Sequence, residues 1–227
     1  MKLIYSLLFL SFAASAFNID SVTKVYAPDE NENYFLVSGN GKGREYIYVT
    51  LSELISDGNN KSHEVAFDAS NVTIWPVVAE PADIIVSSGE QVKVKIIKNY
   101  VPSGPDRIFG ITFTPDVLDR NQGGQYSISF GYKAWFIIPG SEPVTGNVSA
   151  AKGEHRGDYI IRNNTNKVMK VKLSYCTSAG EKGCMAQMVT RPYSDKKVSL
   201  GDKATSLDVE FYTVSGDQKT PVKKIKL

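Results

Sequence analysis

The sequence predicts an all-β protein of the sandwich type, and three observations carry that prediction. Short segments alternate apolar and polar residues with period two. Turn-forming residues punctuate them at short intervals. No segment holds a 3.6-residue period with capping residues at both ends, so helices have little to build on. Such a chain buries its apolar faces by stacking sheet on sheet.

The strands are justified in order. Asp20–Tyr26, DSVTKVY, is an N-terminal strand. Arg44–Leu51, REYIYVTL, alternates with Ile47, Val49 and Leu51 in one phase, and Leu51–Ile55 is expected to add one helical turn at most. Asn71–Val78, NVTIWPVV, reads as a strand that Pro76 confines to an edge or bend. Asp83–Val86 runs into the turn Ser87–Glu90. Gln91–Lys98, QVKVKIIK, sends Val92, Val94 and Ile96 inward and leaves Lys93 and Lys95 to water. Arg107–Thr114, RIFGITFT, follows, and then a polar loop over Asp119–Gly124.

The segment Gly123–Pro139, GGQYSISFGYKAWFIIP, is the most informative. Tyr126, Ile128, Phe130 and Tyr132 fall on one face, and Ser127, Ser129 and Gly131 on the other. One face is large and apolar, the other nearly bare. Such a strand either closes its own sandwich or offers its apolar side to another protein.

Pro139–Pro143, PGSEP, marks a boundary. The expected organisation is residues 1–16, 17–139, a linker at 140–146, and a second β-unit at 147–227. In the second unit, Tyr159–Arg162 and Val168–Tyr175 read as one hairpin, and Leu207–Val214 and Pro221–Leu227 as another. A unit of about 80 residues gains from a staple. Cys176 and Cys184, the chain's 2 cysteines, are placed to close a polar surface loop between them. In an exported protein that pair favours a disulfide contributing roughly 2–3 kcal/mol.

Export follows from Met1–Ala16, MKLIYSLLFLSFAASA. A lysine, an apolar run and an Ala-x-Ala site form a secretory signal cleaved after Ala16, too short to span a bilayer. No later stretch is apolar enough to insert into a membrane.

The formal net charge of +2 in 227 residues gives no footprint for nucleic acid. No nucleophile motif, phosphate loop or dinucleotide fingerprint is present, and Gly39–Gly43 reads as a turn. His63 and His155 lie in polar surroundings and, with two cysteines, make no zinc site. No enzyme, metal or cofactor is expected. Asn-x-Ser/Thr triplets at Asn71, Asn147 and Asn163 are short patterns that chance supplies. Two lysines stand out, Lys24 in the first strand and Lys133 in the aromatic one. Each is either a side chain snorkelling at a sandwich edge or half of a carboxylate site between the two units.

The ordered features carry a resemblance. Thr23-Lys24-Val25-Tyr26, the turn Glu80–Gly89, the strand Arg107–Pro115 and the alternating strand before Pro139 are similar to the periplasmic pilus chaperones of the chaperone–usher pathway. Cys176 and Cys184 within the second unit resemble the branch that serves colonisation-factor and common-pilus fimbriae. The resemblance implies two immunoglobulin-like domains in a boomerang. It implies a periplasmic chaperone that binds pilin subunits by donor-strand complementation and delivers them to an outer-membrane usher. Tyr126, Ile128, Phe130 and Tyr132 would fill the subunit's groove. Lys24 and Lys133 would anchor its C-terminal carboxylate. Self-association of the free chain through the apolar strand stays open. The alternative from the residues is a secreted immunoglobulin-like adhesin or carbohydrate-binding module, in which the alternating strand is ordinary core.

Overall fold

A computed structural model describes residues 17–40, 43–57, 61–116, 130–175, 184–201, 206–215 and 220–227. The expected signal segment, most of the Gly123–Tyr132 run, and Cys176 lie outside the described residues. Among the described residues, ten strands precede Pro139. They are β1 (Phe17–Ile19), β2 (Thr23–Val25), β3 (Tyr34–Gly39), β4 (Glu45–Ser56), β5 (Ser62–Ala66), β6 (Val77–Glu80), β7 (Asp83–Val86), β8 (Gln91–Lys98), β9 (Arg107–Asp116) and β10 (Tyr132–Ile138). Seven follow: β11 (Gly146–Lys152), β12 (Asp158–Thr165), β13 (Met169–Ser174), β14 (Met185–Thr190), β15 (Ser194–Ser199), β16 (Asp208–Thr213) and β17 (Lys223–Lys226). The all-β prediction holds.

The first unit packs a sheet of order β1-β3-β8-β6 against one of order β2-β10-β9-β4-β5, with β7 paired to β4. Alternate residues of each strand enter the space between them. Phe17, Phe35, Phe109, Phe113 and Phe136 are sealed there. Phe35 meets Phe113 edge-on at 5.8 Å and Phe136 at 6.3 Å, the geometry that ring quadrupoles favour. The second unit stacks β11-β12-β15 on β14-β13-β16-β17 around Ile161, Met169, Val171 and Phe211.

Three local expectations change. Leu51–Ile55 is not a helical turn: β4 runs unbroken to Ser56, because β5 and β9 pair with it on both sides. Asn71–Ile74 is not a strand but lies in a 3-10 turn over Ala69–Ile74. Asp68 caps it, its carboxylate accepting from Ser70 N at 2.9 Å, and its carbonyl accepts from Trp75 Nε1 at 3.0 Å. The segment 159–175 is not a hairpin. β12 pairs with β11 and β15, whereas β13 pairs with β14 and β16, so the chain crosses from one sheet to the other. The corner is built by Asn163, fully buried. Its amide donates to Lys167 O at 2.8 Å and Arg191 O at 2.9 Å, and its carbonyl accepts from Thr165 Oγ1 at 2.6 Å. The expected C-terminal hairpin is present as β16 and β17.

The two units meet through an apolar seam of Ile108 and Ile137 against Val168 and Val214. Beside it lies a buried ion pair. Lys167 Nζ donates to Asp106 Oδ1 at 3.0 Å and to Gly140 O at 2.7 Å. Asp106 also accepts from Gly140 N and Val168 N, each at 2.9 Å. Gly140 cannot carry a side chain, since a Cβ would overlap the carbonyls of Gly104 and Pro105. Asn166 pins the rest of the crossing, accepting from Thr145 N at 2.9 Å and donating to Pro143 O at 3.0 Å.

Replacing Asp106 by Ala strands a buried ammonium. Removing one member of such a pair typically costs about 3–5 kcal/mol. A loss of that size is expected in urea denaturation followed by tryptophan fluorescence.

Candidate functional site

β10 has two working faces. Ala134, Phe136 and Ile138 point into the first sandwich; Lys133, Trp135 and Ile137 point out of it, and Trp135 and Ile137 pack toward the second unit. The same outward face carries Thr23 of β2 and Ile108 of β9. Thr190, Arg191 and Lys196, from β14, the corner after it and β15, form part of the opposite wall. The cleft between the walls has a volume of about 450 Å³. Arg191 reaches across, Nη1 donating to Ser62 Oγ at 2.6 Å.

Lys133 lies on this cleft face, packed over the Trp135 ring at 5.8 Å and paired with Glu64 Oε1 at 2.5 Å. The hydroxyl of Ser52 donates to the same oxygen. The Glu64 carboxyl is held below the ordinary glutamate range. The hydrogen bond from Lys133 is the main cause and that from Ser52 the second, with burial working against both.

Lys24 lies elsewhere. It sits opposite Phe136 in the parallel β2–β10 register, and paired residues project to one side of a sheet. Phe136 is core, so Lys24 is on the inward face. It snorkels out at the sandwich edge, with Nζ 2.6 Å from Asp20 Oδ2, 2.5 Å from Tyr34 O, and over the Phe35 ring at 5.2 Å. The cleft-facing neighbour in β2 is Thr23. The structure therefore does not bring Lys24 and Lys133 together.

Of the apolar set, Tyr126 and Ile128 lie outside the described residues. Phe130 is 59% exposed. Tyr132 differs from the expectation: it packs on its own core, edge-on to Phe17 at 5.1 Å, because it is in phase with Ala134 and Phe136. Cys184 is buried, and its carbonyl accepts from Tyr175 N at 3.0 Å; Cys176 lies outside the described residues. His63 is exposed, 3.3 Å from Asp57.

Sequence reasoning did not single out Ser52, Glu64, Asp106, Lys167 or Arg191. One signal was available. Gly110 interrupts a strand otherwise rich in bulky residues, and a strand glycine marks close approach by another group. A Cβ there would overlap Ser52 Oγ and stand 3.1 Å from Glu64 Oε1.

Residues 19–139 match the family model of the CS5 fimbrial protein N-terminal domain. An uncharacterized 25.9 kDa protein of the CS5 3' region of Escherichia coli is 51% identical over 224 residues, covering 99% of both chains. The chain belongs to the CS5 fimbrial protein family. This CS5-family chain also shares its fold with the class 5 fimbriae chaperone CfaA, at TM-score 0.56 and 14% identity over 93% of this chain and 98% of that one. A second solved relative in fold is the Salmonella enterica SafA pilin in complex with the SafB chaperone. That match has TM-score 0.54 and 10% identity, over 96% of this chain and 98% of the matched one. A third is the Acinetobacter baumannii CsuC–CsuE chaperone–tip subunit complex, with TM-score 0.51 and 14% identity over 94% and 97%. At these identities the CS5-family chain is like them in fold.

The lowered Glu64 pKa gives a signed expectation. A carboxyl whose folded pKa lies below its unfolded value of about 4.3 adds stability above that pH and loses it as pH falls through the folded value. Lys133→Ala should therefore lower the melting temperature at about pH 7 and have a clearly smaller effect at about pH 3. Thermal unfolding followed by circular dichroism at both pH values checks this.

Proposed function

We propose that this chain is a periplasmic chaperone for fimbrial subunits. It holds a pilin by lending it a strand and hands it to an outer-membrane usher, without nucleotide or catalysis. The observation that carries the proposal is the exit of β10 from its own sandwich. From Tyr132 onward the inward residues are spent on the core, and at Phe130, in the same phase, the apolar side chain stands in solvent. Ile128 and Tyr126 continue that phase in the sequence. An unsatisfied apolar strand edge is an aggregation liability unless capping another sheet is its task. The fold shared with CfaA and with the SafB chaperone, which is solved in complex with a pilin, supports this reading.

The donated residues are then Tyr126, Ile128 and Phe130. Lys133, facing the cleft, is the anchor for the subunit's terminal carboxylate, and Lys24 serves its own sandwich edge. The accompanying assignments are export by residues 1–16, domains at 17–139 and 147–227, and a Cys176–Cys184 bridge in the second domain. The match of the family model to residues 19–139 supports the first boundary.

Each buried apolar side chain contributes about 1.5–3 kcal/mol, or at least about tenfold in affinity. Ile128→Asp should therefore cut co-purification of a co-expressed CS5-type pilin by about tenfold or more while leaving the melting temperature of the free chain unchanged. Undiminished capture would remove Ile128 from the donated strand. Lys133→Ala should also reduce capture, and a pilin lacking its last residues should be captured equally poorly by the variant and the parent.

A further inference from the structure

A carboxylate already sits on the cleft face of the first sandwich. Glu64 reaches from the edge strand β5 and accepts from Lys133 Nζ at 2.5 Å and from Ser52 Oγ. An ordinary exposed lysine–glutamate pair needs no further support. This one has a built seat. Ser52 is 6% exposed, so its hydroxyl is positioned by packing. Gly110 provides a bare floor, where a Cβ would overlap Ser52 Oγ and stand 3.1 Å from Glu64 Oε1 and 3.3 Å from the Trp135 ring. An ammonium and a hydroxyl over an open backbone floor, with an indole as wall, is a donor set suited to a carboxylate. Ser62, two residues before Glu64 and on the same side of β5, accepts from Arg191 of the second unit. A second cation therefore borders the seat from the other wall of the cleft.

We propose that Glu64 is a resident occupant of the carboxylate seat, and that a chain-terminal carboxylate binds by exchanging with it. The incoming group takes the hydrogen bonds of Lys133 and Ser52, and Glu64, whose side chain is 33% exposed, swings into solvent. Arg191, whose guanidinium donates to the neutral Ser62 hydroxyl, is the cation placed to approach the displaced or the incoming carboxylate. This inference rests on the reading of Lys133 as the anchor. It adds that the anchor is self-occupied and that Glu64 sets its affinity. Charge balance is kept, since one carboxylate replaces another at the same ammonium.

The test uses the full mature chain and N-acetylglycine as the probe, with N-acetylglycinamide as the neutral control. Binding is read by NMR from the Trp135 indole N–H signal. The parent should bind N-acetylglycine weakly. Glu64→Gln, which keeps the shape and loses the charge, should bind it about tenfold more tightly. Lys133→Ala should not bind it, and no form should bind the amide. Equal affinity of Glu64→Gln and the parent would overturn the proposal, as would equal binding of the amide. Should Glu64→Gln fail to fold, Glu64→Asp, one methylene too short for the seat, is read by the same criterion. Pilin capture by the parent chain is measured in parallel. Capture with no gain in probe affinity overturns the exchange and leaves the chaperone reading standing. A gain in probe affinity with no capture does the reverse.

Discussion

The contact between Asp106 and Lys167 is the constraint on which the arrangement of the two sandwiches depends. Charges taken out of water are tolerated only when paired and hydrogen-bonded on their remaining faces. Both conditions are met here, because the Asp106 carboxylate also takes two backbone amides and the Lys167 ammonium also takes the Gly140 carbonyl. Those backbone groups belong to the crossing segment and to the start of β13. The pair therefore fixes three pieces of chain at one point: the approach to β9, the exit from β10 and the entry to β13. With them it sets Val168 against Ile108 and Ile137. The cleft walls are offset from one another by this geometry, and everything facing the cleft inherits its position from it.

β10 links that frame to the site. Its two-residue period assigns one set of side chains to the sandwich core and the other to the cleft, so neither can shift without the other. A one-residue slip would put Lys133 and Trp135 among the phenylalanines. The energetic cost of that error keeps a polar group in place on a face that is otherwise only partly covered. The same logic separates Lys24 from Lys133. Sequence shows both lysines in strands, but their faces depend on the register between β2 and β10, which are distant in sequence and pair in parallel.

Much of the fold was legible because it follows from local pattern. The alternation in Gln91–Lys98, the strand Arg107–Thr114 and the hairpin at the C-terminus need no knowledge of distant partners. The misreadings occurred where distant partners decide. Val72 and Ile74 favour a strand by propensity, yet Asp68 and Trp75 close a 3-10 turn around them and leave Ile74 74% exposed. Residues 159–175 have the spacing of a hairpin, but β12 and β13 pair with different distant strands, and the buried side chain of Asn163 turns the chain from one sheet to the other. In the site, Lys133 was visible because a charge among aromatics is unusual. Glu64 was not, because a glutamate in a polar, edge-strand sequence looks like any solvated residue. Asp106 and Lys167 likewise sit in loop-like sequence that gives no hint of burial.

The corner at Asn163 has a practical corollary. Asn163-Asn164-Thr165 is an acceptor triplet for N-linked sugar, and the nitrogen that would carry the glycan is the one that donates to Lys167 and Arg191. A glycan could be attached there only before the chain has folded, and a nitrogen so modified could not occupy the solvent-free niche that turns the chain. Production through a eukaryotic secretory route would thus set glycosyltransferase against folding at this one atom, whereas a bacterial host without N-glycosylation leaves the corner free to form.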